Sequence, residues 1–142
     1  MFIVICLFSL LIITVSVIIT HEKHGGEFMI TRKLKETDIM DNAHGVDARN
    51  LYNKDTAMVT VITLKPGQSL KRHITPVDVA FFVLDGMGTV EIGEEKIEVK
   101  KETLIESPKD IVHCWYNTGK ELLRFMVIKA PRPEKKTIFV GD

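Results

Sequence analysis

Residues 29 to 142 read as an all-β domain, a sandwich or a barrel, and three observations predict it. Short runs rich in β-branched and aromatic residues recur about every ten residues. Most runs stop at a turn signal such as Pro66-Gly67, Asp85-Gly86, Gly93-Glu94 or Thr118-Gly119. No stretch after residue 28 carries an apolar stripe of useful length at helical spacing.

Each element follows from its own residues. The polar, turn-rich segment KETDIMDNAHGVDARNLYNKD leads into the domain, with one strand expected around Val46 to Tyr52. AMVTVITL, Ala57 to Leu64, is β-branched and stops at Pro66-Gly67. VAFFVL, Val79 to Leu84, stops at Asp85-Gly86. In GTVEIG, Val90 and Ile92 alternate with Thr89 and Glu91; in KIEVK, Ile97 and Val99 alternate with charged residues. TLIES ends at Pro108, IVHCWYN at Thr118-Gly119 and ELLRFMVIKA at Pro131. The tail APRPEKKTIFVGD leaves through two prolines and offers an edge strand at Thr137 to Val140.

Bulk composition excludes some partners. Nineteen Lys and Arg balance nineteen Asp and Glu, so neither nucleic acid nor an anionic surface is indicated. Cys6 and Cys114 stand far apart and read as reduced thiols rather than a disulfide framework.

The first 28 residues differ from the rest. Phe2 to Thr20 carries no charge, and as a helix it would rise about 28 Å, close to the hydrocarbon thickness of a bilayer. No Lys or Arg precedes it and no small-residue cleavage pattern follows it, so it reads as one hydrophobic anchor helix rather than a cleaved signal. Lys23, Arg32, Lys33 and Lys35 all follow it, which orients a single-pass protein with its C-terminal domain in the cytoplasm. A second reading starts translation at Met29, because codons for Gly25-Gly26-Glu27 can spell a ribosome-binding sequence; the protein is then cytoplasmic without an anchor. Either way the domains expected are 1–28 and 29–142.

Strand alternation selects the candidate site residues. His113, Trp115 and Asn117 share one face of their strand, and Cys114 points to the other. His73 and Thr75 share a face, and on an extended chain Val79, Phe81 and Val83 fall on the same parity. If Trp115 and Phe81 mark the inner face, His73 and His113 look into one interior from strands 40 residues apart. His44, His21 and His24 have no partner at metal-ligand spacing and read as solvated.

These residues lie in a pattern that resembles the cupin superfamily, small barrels of the double-stranded β-helix or jelly-roll type. The family's two motifs run G-x5-H-x-H-x3,4-E-x6-G and G-x5-P-x-G-x2-H-x3-N. Gly67, His73 and Gly86 match the first; Pro108, His113 and Asn117 match the second. Thr75 replaces a histidine, Val79 replaces the glutamate, and Glu102 and Asp110 replace two glycines. The resemblance spans roughly Ala57 to Ile128.

The resemblance implies a divalent metal, Fe, Mn, Ni or Zn, held by three histidines and a glutamate, of which this chain keeps His73 and His113. Thr75 is a candidate third donor, and Asp78 or Glu106 could supply a carboxylate if the backbone turned either inward. Trp115, Phe81 and Asn117 are candidate pocket residues. The resemblance also implies a small-molecule ligand and a homodimer. Three function classes stay open: a ligand-binding barrel, a metal-dependent oxygenase, isomerase or decarboxylase, and a structural barrel whose interior Trp115 and Phe81 fill.

Overall fold

A computed structural model describes residues 29–141. After a short 3-10 turn at Leu34–Glu36, ten strands follow: β1 (Asp47–Lys54), β2 (Ala57–Leu64), β3 (His73–Ile74), β4 (Val79–Asp85) and β5 (Met87–Ile92), then β6 (Glu95–Lys100), β7 (Leu104–Ser107), β8 (Val112–Tyr116), β9 (Leu123–Lys129) and β10 (Ile138–Phe139). They form two five-stranded antiparallel sheets, ordered β1-β2-β9-β4-β7 and β10-β3-β8-β5-β6. The all-β expectation holds, and the chain is a jelly roll. The tail strand exists as β10 on the edge of the second sheet, bonded to β3. The anchor run Phe2 to Thr20, together with Cys6, His21 and His24, lies outside the described residues. Among the described residues no helix is long and apolar enough to cross a membrane.

Alternation decides what each strand sends inside. On β9, Leu123, Phe125 and Val127 are buried while Arg124 and Met126 are half-buried on the outer side. On β4, Val79, Phe81 and Val83 are buried in the same way. The chain does not stay extended between β3 and β4: residues 75–78 bend as it passes from one sheet to the other. Parity therefore cannot be counted through Pro76, yet His73 and Phe81 both end inside because each sheet turns one face to the same core.

The turn chemistry follows the motif spacing. Gly67 and Gly86 both have φ of 80°, a conformation that costs glycine little. At Gly86 a Cβ would also collide with the backbone oxygen of Leu122. Glu102 and Asp110, which stand where the motif has glycine, still adopt φ of 67° and 62°. The backbone of the motif has survived the loss of its glycines.

Candidate functional site

The strands bring His73 and His113 together, paired directly across β3 and β8. Their Nε2 atoms lie 3.1 Å apart, and they are 6% and 2% exposed. The proton arrangement of the neutral pair follows from its partners. His73 Nδ1 must donate, because it faces the carbonyl of Lys71 at 2.8 Å. Its Nε2 is then an acceptor, so His113 Nε2 carries the shared proton. His113 Nδ1 is left to accept from the buried hydroxyl of Ser107 at 2.9 Å. A chain of directed hydrogen bonds thus runs from Ser107 through both imidazoles to the Lys71 carbonyl.

Both imidazoles are held neutral. Burial pushes His113 down to about 3, helped by the charges of His73 and Lys129. Burial also lowers His73, against the opposing pull of its bond to the Lys71 carbonyl.

A third histidine joins them, and the reading of His44 as solvated is corrected. Its ring centroid lies 4.7 Å from that of His73 and 5.3 Å from that of Phe139. Its Nδ1 accepts from the backbone N–H of Lys71 at 3.0 Å, so Nε2 carries the proton. Burial is the main reason its value falls to about 4. Nothing in the sequence around residue 44 signals this, since the contact spans 27 residues and the segment has no strand periodicity.

These histidines line a cavity of about 670 Å³. Its walls are Ile62, Leu70, Phe81 and Val127, and its mouth is shared by the leading segment at Met40 to His44 and the tail at Lys136 to Phe139. The cavity also contains the inward end of β9, Lys129, which sequence reading missed. The signal was present: Leu123, Phe125, Val127 and Lys129 share one parity. Burial lowers the Lys129 ammonium below its ordinary value, and among the described residues it takes part in no ion pair.

The other site residues read from the sequence go elsewhere. Trp115 and Asn117 are buried but do not line the cavity. Trp115 stacks on Phe125 with centroids 4.1 Å apart. Asn117 clamps a turn, donating to the carbonyls of Leu64 and Glu121 and accepting from Gly119 N–H. Thr75 is buried without a partner for its hydroxyl among the described residues, and it too is absent from the cavity wall. Asp78 is exposed, and its carboxylate accepts from Lys109 N–H at 2.8 Å, so no bulge turns it inward. Glu106 is exposed because β7 parity sends Ile105 and Ser107 inside instead. Cys114 is buried on the face opposite the histidines, its thiol donating to the Leu70 carbonyl.

The donor set does not fit a divalent cation well. A 3.1 Å separation of two Nε2 atoms would suit two donors on one ion, since metal–nitrogen distances are about 2.1 Å. The third imidazole, however, has its free lone pair committed to Lys71 N–H. The carboxylate is replaced by Val79, whose cross-strand neighbours are Ser107 and Lys129. A lysine at that place brings no negative charge where the motif would attract a cation. Among the described residues no group of three or more His, Cys, Asp or Glu side chains is arranged to hold a metal.

The architecture is that of a small jelly-roll barrel, plugged at one end and open at a histidine-lined cavity at the other. Residues 60–129 match the family model described as Cupin domain, and this part of the chain belongs to the cupin superfamily. A double-stranded β-helix protein from Klebsiella pneumoniae superposes with a TM-score of 0.67 at 18% identity, over 79% of this chain and 97% of that one. A cupin-2 domain from Rhodospirillum rubrum gives 0.69 at 15% identity, over 81% and 82%. The polyketide cyclase RemF from Streptomyces resistomycificus gives 0.68 at 18%, over 80% and 87%. At these identities the likeness is one of fold. None of the curated proteins compared with the chain matches it.

Proposed function

We propose that this protein binds a small organic molecule in the cavity between Phe81 and the mouth formed by the leading segment and the tail. The observation that carries the reading is the space itself. A core strand normally fills its inner face, yet above Phe81 the interior opens into about 670 Å³, within the range of ligand pockets. A purely structural barrel would need Trp115 and Phe81 to occupy that volume; Trp115 packs on Phe125 instead.

The walls describe the ligand. Ile62, Leu70, Phe81 and Val127 suit an apolar body, while His44 Nε2–H and Lys129 suit an oxygen that accepts hydrogen bonds. A metal-dependent reaction is the weaker reading, because Lys129 stands beside the position where a carboxylate ligand would be.

Titration with 8-anilinonaphthalene-1-sulfonate, an apolar anion, tests the reading. Saturable binding at one site per chain is expected, with shifts of the His44, His73 and His113 imidazole resonances. Absence of saturable binding, or binding untouched by the cavity-filling Ile62→Trp variant, would overturn it.

A further inference from the structure

We propose that Lys129 is a carbonyl-capturing amine: the cavity admits an aldehyde or ketone, and Nζ of Lys129 condenses with it to form an imine. This rests on the ligand-binding reading of the cavity and names the substrate class for it.

The first observation is placement. Lys129 is paired with Met58 on one side and Val79 on the other, so the register of three strands points its side chain inward. The second is isolation. Among the described residues its ammonium has neither an ion-pair partner nor a side-chain hydrogen bond, while the three imidazoles on the wall are all hydrogen-bonded. Asp41 reaches the rim of the cavity but is exposed, and it forms no ion pair with Lys129.

A half-buried ammonium without a counter-charge is unfavourable, and the free amine is the form that burial favours. Only the free amine has the lone pair that attacks a carbonyl carbon, and lysines activated this way are found in desolvated pockets. A lysine meant simply to hold a charge would be better served by water or a carboxylate beside it.

The remaining wall groups supply part of what condensation needs. The amine lone pair forms the C–N bond as the carbonyl π pair moves to oxygen. A proton passes from nitrogen to that oxygen, giving a carbinolamine. The C–O bond then breaks and the oxygen leaves as water after taking up a second proton, so the sum is amine, carbonyl and proton to protonated imine and water. His44 Nε2–H lies on the cavity wall as a donor for the oxygen. The lone pairs of the neutral His73–His113 pair are engaged with each other and with Ser107, so the second proton comes from solvent. No oxidant or further reactant is required.

The test is reductive trapping. The full chain is incubated near neutral pH with benzaldehyde and sodium cyanoborohydride, and intact and peptide masses are followed. One early adduct per chain is expected, with the mass of the aldehyde less one oxygen, on Lys129. It should form faster than on any exposed lysine, because a lowered pKa leaves more of the amine free. The Lys129→Arg variant should lose that adduct, and Lys129→Met serves if the arginine variant does not fold. Label spread over surface lysines without a lead for Lys129 would overturn the inference. If anilinonaphthalene sulfonate still binds at one site and weakens in Lys129→Met, the lysine is an anion anchor and only the imine falls. If neither probe engages the cavity, the binding reading falls with it.

Discussion

The two ends of the barrel are built from the same strands and differ in what those strands carry. At one end Trp115, Phe125, Leu64, Leu123 and Val83 are all fully buried, and the Trp115 and Phe125 rings lie stacked at 15°. At the other end His73, His113, His44 and Lys129 surround open space. The change takes two to four residues along a strand: Trp115 to His113 on β8, Phe125 to Lys129 on β9. Phe81 marks the boundary, its ring 5.4 Å from both Trp115 and His113. One end holds the fold together, and the other is left free to act.

The sharpest way to break this contrast is to truncate one ring at each end. Trp115→Ala should cost about 3–5 kcal/mol, the range for deleting a buried aromatic from a close-packed site. His73→Ala should cost only about 1 kcal/mol, because the groups it abandons face a cavity where water can replace it. Urea unfolding of both variants measures the difference. Equal losses would mean that the histidine end is packed like the other.

The next effect is one of pH, confined to the open end. His44 and His113 have folded values of about 4 and about 3, below the ordinary 6.5. The unfolded chain therefore takes up protons first as pH falls. The stability from keeping these rings neutral is complete above pH 6.5 and drains away toward pH 4 and below. Urea midpoints should decline over that window, and His44→Gln should flatten the decline. An unchanged slope in that variant would show that carboxylates, not the buried imidazole, govern it.

Lys129→Met should raise stability at neutral pH by up to about 1 kcal/mol, since it replaces a half-buried cation without an ion-pair partner by an apolar chain of similar length. The sign follows from the lowered value of Lys129: the unfolded lysine protonates first as pH falls, so the native state is penalised below about pH 10.5. The gain should shrink as pH rises toward that point and be gone beyond it. Thermal unfolding at neutral and alkaline pH distinguishes this from a general packing effect, which would not depend on pH.

How much of this the sequence could show depends on the range of the interaction. Strands such as Ala57–Leu64 and Val79–Asp85 are written locally, in β-branched runs closed by glycine turns, and the motif spacing located His73 and His113. Lys129 was equally legible, because β9 alternates strictly. Its bearing on the site is not legible, because Val79, at the position of the lost glutamate, meets Lys129 across the sheet and 50 residues away in the chain. His44 could not be found this way. Its place depends on a backbone N–H of Lys71 and on the tail covering it, and neither leaves a periodic trace. Trp115 and Asn117 were placed on the right face but at the wrong height, since parity tells inside from outside and says nothing of depth.

The smallest expected effects test whether the backbone at both ends still follows the motif. Glu102 closes the packed end, its N–H bonded to the Val83 carbonyl, and Asp110 closes the open end, its N–H bonded to the Thr75 carbonyl. Both hold positive φ without being glycine. A left-handed residue with a Cβ is strained by roughly 1–2 kcal/mol, and glycine gives part of that back as lost chain entropy. Glu102→Gly should therefore stabilise by about 0.5–1 kcal/mol. Asp110→Gly should gain only a few tenths, because aspartate tolerates this region better. Urea midpoints that rise with unchanged m-values would confirm that the glycine conformations outlived the glycines. A fall at Glu102 would mean that its side chain contributes more than its backbone costs, and the motif's geometry would then have to be maintained by contacts on the surface of the packed end rather than inherited in the turn.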